Sequence, residues 1–125
     1  MTAVPIDIDT SQAPRFLHYQ FTGSYPSVEE QTVLREKLMA RGLLTRDTVA
    51  LMDVRGLANV PDDDVLAKTV AAALERGGWP IRRAYLIDPA RHLRMVEQFQ
   101  DLAMRTVTTA AFVDKEEALN WLYQR

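Results

Sequence analysis

The chain contains no cysteine. That excludes disulfides, thiol catalysis, cysteine-ligated zinc and iron–sulfur clusters together. Histidine is scarce: His18 and His92 are the only two, too few for a histidine-rich zinc site. No stretch approaches the roughly eighteen consecutive apolar residues that a membrane-spanning helix needs. Neither sign of charge dominates, since 15 Lys and Arg oppose 17 Asp and Glu for a net charge of −2. Sequence-independent binding to a phosphate backbone favours a strongly basic protein, so nucleic acid is not expected as a partner. Glycine-rich phosphate cradles of the G-x-G-x-x-G or G-x-x-x-x-G-K type are absent. The opening residues, Met1-Thr2-Ala3-Val4-Pro5-Ile6-Asp7, carry acid rather than the basic-then-apolar profile of a secretory signal, and a cytoplasmic location is expected. What is present is ordinary globular composition, 47% hydrophobic and 26% charged, over 125 residues expected to form one domain, 1–125.

The pattern of breaks and periods predicts the order β-β-α-β-α-β-α-β-α. Residues 3–9 alternate weakly and predict a short edge strand, the place where Pro5 is tolerated. Thr10–Pro14 is a turn cluster, and the aromatic-rich residues 15–22 predict a second strand that closes a hairpin. Ser27 with Glu30 is a capping box for a helix running to about Arg41, with Leu34 and Leu38 inward and Gly42 as its stop. Thr48–Val54 is almost wholly apolar, the habit of a strand covered on both faces. A loop over 55–60 leads to a helix over 61–76, whose stripe is Leu66, Val70, Ala73 and Leu74 and whose stop is Gly77-Gly78 with Pro80. Residues 81–87 predict a fourth strand. Asp88-Pro89 then opens a helix with Leu93, Val96, Phe99 and Ala103 inward. Residues 106–113 are β-branched enough for a fifth strand, and Asp114 with Glu117 is a second capping box before a helix burying Ala118, Leu119 and Leu122. The expected fold class is α/β: a mixed sheet of about five strands, an N-terminal hairpin followed by parallel βα units.

Four short motifs fall in order along this pattern: Phe21-Thr22-Gly23 before the first helix, Leu51-Met52-Asp53-Val54-Arg55-Gly56-Leu57, Asp88-Pro89-Ala90-Arg91-His92-Leu93, and Phe112-Val113-Asp114 leading into Glu116-Glu117-Ala118-Leu119. Together they resemble the STAS domain, the fold of the bacterial anti-sigma-factor antagonists, and within it a looser SpoIIAA-like branch without a known activity. The resemblance implies a non-enzymatic regulatory module that binds a protein, either a regulator such as an anti-sigma factor or a second copy of itself as a homodimer. It also implies the surface: Ser24 and Tyr25 in the Gly23–Tyr25 loop, and Arg55, Gly56, Asp62, Asp63 and Asp64 in the Arg55–Asp64 loop. One departure matters. Family antagonists carry a phosphorylatable serine at the start of the second helix, where this chain has Pro61-Asp62-Asp63-Asp64, and no Ser or Thr lies between Thr48 and Thr69. The phosphorylation switch is therefore expected to be missing. The acids either fix a phosphoserine-like charge or simply suit the positive end of a helix, which is worth about 0.3–1 kcal/mol each.

The remaining chemistry-bearing residues read more plainly as structure. The rim beyond the strand ends would carry Ser24, Tyr25, Arg55, Gly56, Asp88, Arg91 and Asp114, with no nucleophile–base pair among them. Asp53, Asp62, Asp88 and Asp114 suggest a magnesium site only if they converge, and helix capping already accounts for at least two. No metal and no cofactor are expected. His18 reads as a half-buried or exposed strand residue and His92 as a neutral, solvated ring in a first helical turn. Arg82 and Arg83 point to opposite faces of one strand, so they cannot join Arg91 and Arg94 in a single patch; solvated surface is expected for the set. Trp121 is expected at the core edge, and Trp79 as the stronger anchor for a partner. The alternative to a protein-binding module is a small-molecule binder, for a nucleotide or lipid, with a pocket under the same loops. A small hydrolase or transferase is the weakest reading.

Overall fold

The structure, a computed structural model, describes residues 6–75, 80, 82–102 and 107–124. Its elements are β1 (Ile6–Asp9), β2 (Phe16–Gly23), α1 (Val28–Ala40), β3 (Val49–Leu57), α2 (Asp63–Glu75), β4 (Arg82–Leu86), α3 (Pro89–Leu102), β5 (Thr108–Phe112) and α4 (Lys115–Tyr123). They form one sheet in sequential order, β1-β2-β3-β4-β5, with β1 antiparallel to β2 and the other pairs parallel. Because the strand order always advances in one direction, right-handed crossovers lay α1, α2 and α3 on the same face.

That face holds the larger core. Leu17, Tyr19 and Phe21 of β2, and Ala50, Met52 and Val54 of β3, meet Leu38 of α1, Leu66 and Val70 of α2, and Val96 and Phe99 of α3. The alternate residues of the same strands, Phe16, Leu51, Ala84 and Leu86, pack under Ala118 and Leu122 of α4. Strand β3 is thus covered on both faces, as its apolar run predicts. Beyond α4, the second face carries polar side chains: Asp7 pairs opposite Gln20 and Asp9 opposite His18.

The local signals act where the sequence places them. Ser27 accepts from the Glu30 N–H, and the Glu30 carboxylate accepts from the Ser27 N–H, both at 3.0 Å, completing the capping box. Gly42 ends α1 at φ 71°, a conformation that favours glycine. Asp114 accepts from the Glu117 N–H at 3.3 Å and caps α4, but among the described contacts the return bond of a full box is missing.

Four expectations are corrected. Arg55, Gly56 and Leu57 belong to β3 rather than to a loop, because a bulge lets the strand continue: β2 advances from Gln20 to Thr22 while β3 advances from Asp53 to Gly56. Leu93 is 42% exposed; the buried stripe of α3 keeps the expected Val96 and Phe99 but takes His92 and Met95 instead of Leu93. His92 is fully buried rather than solvated. Arg83 is also buried, donating from Nε to the Pro80 carbonyl at 2.6 Å with its guanidinium 5.3 Å from the Phe99 ring centre. Arg82 points the other way, 3.9 Å over the Trp121 ring, so the two arginines do occupy opposite faces and Trp121 does sit at the core edge. The expectations for residues 3–5, Gly77-Gly78, Trp79, Ile81 and Ala103 lie outside the described residues.

Candidate functional site

The residues singled out from the sequence fall at the carboxyl ends of β2 and β3, where open α/β sheets place their sites. Two bonds hold the loops together there. The Ala58 N–H donates to the Gly23 carbonyl at 2.7 Å, and the Tyr25 N–H donates to the Asn59 side-chain oxygen at 3.2 Å. From α3, Arg91 donates to the Leu57 carbonyl, tying a third element to the rim. Gly56 is required by the close approach of strands at the bulge: a Cβ there would meet the Phe21 carbonyl oxygen at 2.6 Å.

The seven predicted surface residues do not form one patch. Ser24 is exposed, whereas the Tyr25 ring turns inward and stacks on Phe21 with centroids 6.5 Å apart. Arg55 bends back along β3 and grips Asp53 with two bonds, 2.9 and 2.7 Å, while its N–H also donates to Asp53 at 3.1 Å. These bonds hold the Asp53 carboxyl below the usual range, and Arg55 joins the polar α4-side face near His18. The three acids have separate partners. Asp62 caps α2 by accepting from the Val65 N–H at 2.9 Å, Asp63 faces Arg94 at 4.0 Å, and Asp64 pairs with Lys68 at 3.1 Å. Between Asp62, Asp63 and the arginines of α3 runs an open groove floored by Leu66 and Met95.

Behind that groove, under α1, α2 and α3, lies a narrow cavity of about 50 Å³, room for a few waters at roughly 10–15 Å³ each. Most of the wall is apolar, including Phe21, Met52 and Val54. The polar lining is Tyr25, Gln31, Arg35, Thr69, Arg83 and Tyr85. Burial pushes the Tyr25 phenol up to about 12 and raises that of Tyr85, so both stay protonated hydrogen-bond donors at neutral pH. A second space, toward β1, shares Gln31, Arg35 and Arg83 with the first and adds Tyr19, whose phenol burial also raises to about 12.

Sequence reasoning placed a pocket under these loops but named only Tyr25 of its polar lining. The others carried a periodic signal. Gln31 and Arg35 are four apart on α1, and Arg83 and Tyr85 are two apart on β4, so each pair shares one face. Thr69 is buried, its hydroxyl donating to the Val65 carbonyl at 2.9 Å.

On the opposite face, His18 is half-buried between Asp9, Phe16 and Lys115 in a shallow depression. Burial, helped by Lys115, lowers its tendency to protonate. His92 accepts the Asp88 N–H at Nδ1, 3.0 Å, so its neutral ring carries the proton on Nε2. Among the described residues, no group of three or more His, Asp or Glu is placed to hold a metal ion, and no helix is long and apolar enough to cross a membrane.

No protein-family model matches the chain. No curated protein matches it either. A solved structure from Shewanella loihica PV-4, described as an uncharacterised protein from the DUF3478 family with a SpoIIAA-like fold, aligns over 98% of both chains at 24% identity and a TM-score of 0.64. A likeness at that identity concerns architecture alone: with its antiparallel β1–β2 pair, parallel β2–β5 sheet and four helices, the present chain has a SpoIIAA-like α/β fold.

Proposed function

We propose that the chain is a non-enzymatic regulatory module, in which a small ligand in the α1–α3 cavity sets the shape of a protein-binding rim. The carrying observation is a shared wall: Leu66 and Met95 line both the cavity and the groove beside Asp62 and Asp63. Tyr25 adds a second link, with its ring in the cavity wall and its N–H held by Asn59 of the rim. Whatever occupies the cavity presses on side chains whose other side faces a partner.

The lack of any Ser or Thr between Thr48 and Thr69, where the phosphorylation switch would be expected, fits this reading. Control that the family exerts through an added charge of about −1.5 to −2 would here be exerted by occupancy. The titratable groups also support binding rather than catalysis. Asp53 is held by Arg55, Asp62 by the start of α2, and His92 by Asp88.

The test is to fill the cavity without a ligand. Ala73 is 3% exposed and lines it. Ala73→Leu should keep the fold, shift the backbone amide resonances of Tyr25, Asn59 and Asp62–Asp64, and change recovery of proteins captured from lysate. Shifts confined to α2 and the cavity wall, with capture unchanged, would separate cavity from rim and refute the coupling.

A further inference from the structure

The two edges of the sheet are unlike. One is β1, four residues of which two are Asp7 and Asp9. The other is β5, and from Thr108 to Val113 it holds no charge, proline or glycine. Edge strands present a row of unpaired N–H and C=O groups, and charge, proline, bulges or cover normally keep them from pairing. On β5 that row can be assigned. The Phe112 carbonyl accepts from the Ile87 N–H, so Thr108, Ala110 and Phe112 turn their backbone groups toward β4. The alternate residues Thr109 and Ala111 then turn theirs outward. Gln100 of α3 reaches this edge and donates to the Thr109 carbonyl at 2.7 Å, while no described residue bonds to the outward groups of Ala111. Two exposed apolar side chains flank it. Val113 follows β5, and Leu93 lies two turns before Gln100 on the same side of α3.

We propose that β5 pairs antiparallel with β5 of a second copy of this chain, about a twofold axis through Ala111, joining two sheets into one. The strand's own sequence argues for a copy of itself as the partner. With Ala111 opposite the partner's Ala111, the two exchange both backbone bonds. Phe112 then falls opposite the partner's Ala110 on the α4 face. Val113 falls opposite the partner's Thr109 on the α3 face, so large meets small at both steps. The twofold repeats each contact. The Thr109 carbonyl can keep its bond to Gln100, because a second lone pair remains for an incoming N–H. Across the axis, Leu93 of one α3 faces Gln100 of the other. Glu97, exposed between them on that side of α3, comes near the axis, so pairing brings two like charges together. Salt screens that repulsion. The opposite side of α3, with Arg91 and Arg94, faces the groove beside Asp62 and Asp63 and stays clear of the seam.

One short strand and one helix side make a small seam, in the class of weak interfaces below about 1,200 Å². Sedimentation equilibrium of the full chain from micromolar to millimolar concentration should therefore show the mass rising from 14.2 kDa toward twice that value. The rise should come at lower concentration in 1 M than in 0.1 M salt. Glu97→Gln should tighten pairing about threefold at the lower salt and little at the higher. Ala111→Pro removes an outward N–H and no bond to β4, a substitution that edge strands tolerate, and it should weaken pairing at least tenfold. Amide hydrogen exchange gives a second readout on the native chain, and it decides alone if that variant fails to fold. In dilute solution the Ala111 amide should exchange at least tenfold faster than those of Ala110 and Phe112, and in concentrated solution it should slow at least tenfold. A dimer whose Ala111 amide stays fast is built on another surface and overturns the proposal. A monomer at every concentration and salt overturns it as well. Pairing that weakens as salt rises would place the axis away from Glu97 and overturn this register. None of these results bears on the coupling of cavity to rim, which Ala73→Leu tests separately.

Discussion

The Tyr25 amide is held by the side chain of Asn59, 34 residues further along, and this bond joins the loop after β2 to the loop after β3. Both loops emerge from the same end of the sheet because β2 and β3 are parallel neighbours. The bond is exposed, so its net worth falls at or below the usual range of about 0.5–1.5 kcal/mol. Asn59→Ala should therefore lower stability by about 1 kcal/mol or less in urea unfolding, yet speed hydrogen exchange at the Tyr25 and Ala58 amides well beyond that global change. Exchange rates that rise only as much as the global stability falls would show that the two loops are held by something else.

Gly56 and Gly23 occur in neighbouring strands for different reasons. Gly23 has φ 71° with nothing near its missing side chain, so Gly23→Ala meets only the left-handed backbone cost of about 1–2 kcal/mol. Gly56 needs no such angle, but a Cβ would lie 2.6 Å from the Phe21 carbonyl oxygen, which is backbone and cannot swing aside. Gly56→Ala should cost about 1–3 kcal/mol, the range for overpacking, and should also shift the amides on both sides of the bulge. Circular dichroism melts and amide spectra of the two variants check this. An unchanged β2–β3 spectrum in Gly56→Ala would mean the strands part without strain.

These glycines mark how far the sequence could be read. The order of elements was legible because caps and stops are local: Ser27, Glu30 and Gly42 act within a few residues of themselves. The continuation of β3 past Asp53 was not, because the bulge is a relation between Asp53–Gly56 and Gln20–Thr22, and Arg55-Gly56 reads locally as a turn. The burial of His92 in place of Leu93 was missed because Leu93 outranks His92 on any apolar count, while the fold buries the histidine and satisfies its Nδ1 with the Asp88 N–H. The candidate site divided in the same way. Asp62 at a helix start was legible as a cap, but the inward turn of Tyr25 and the pairing of Arg55 with Asp53 depend on which sheet face each side chain meets.

The buried His92 makes stability depend on pH. Desolvation first, and Arg91 second, lower its pKa in the folded state, with Asp88 opposing them. Below the unfolded value of about 6.5 the unfolded chain takes up a proton that the folded chain resists. The stability contributed by the neutral ring is thus complete above that pH and is lost as pH falls toward the lower folded value. His18 is shifted the same way, so the two must be separated. Urea midpoints at pH 7.5 and 5.5 should differ less in His92→Asn than in the native chain, and His18→Gln measures the share that belongs to His18. An identical pH response in native protein and His92→Asn would exclude the buried ring as the source.

Asp62 and Asp63 test whether the acids at the start of α2 serve a partner or only the helix. Asn caps a helix about as well as Asp, so Asp62→Asn retains the bond to the Val65 N–H. What the pair of changes removes is charge. Near the helix start that is worth about 0.3–1 kcal/mol for each acid. The 4.0 Å approach of Asp63 to Arg94 is between highly exposed side chains, and pairs of that kind contribute about 0–1 kcal/mol. Stability should therefore fall only slightly, a few degrees in melting temperature at roughly 1 kcal/mol. The groove, however, would change from mixed charge to net positive, with Arg91 and Arg94 left on its α3 side. Association with a basic partner that approaches this rim should slow, markedly at 0.1 M salt and little at 1 M, because charge steering is screened as the Debye length falls from about 10 Å to 3 Å between those concentrations. Stopped-flow association of the native and doubly substituted chains at the two salt concentrations reads both effects. A large drop in melting temperature with unchanged association would assign the acids to the helix alone. Unchanged melting and unchanged association would move the search for the partner surface to the polar face carrying Asp9, His18 and Arg55.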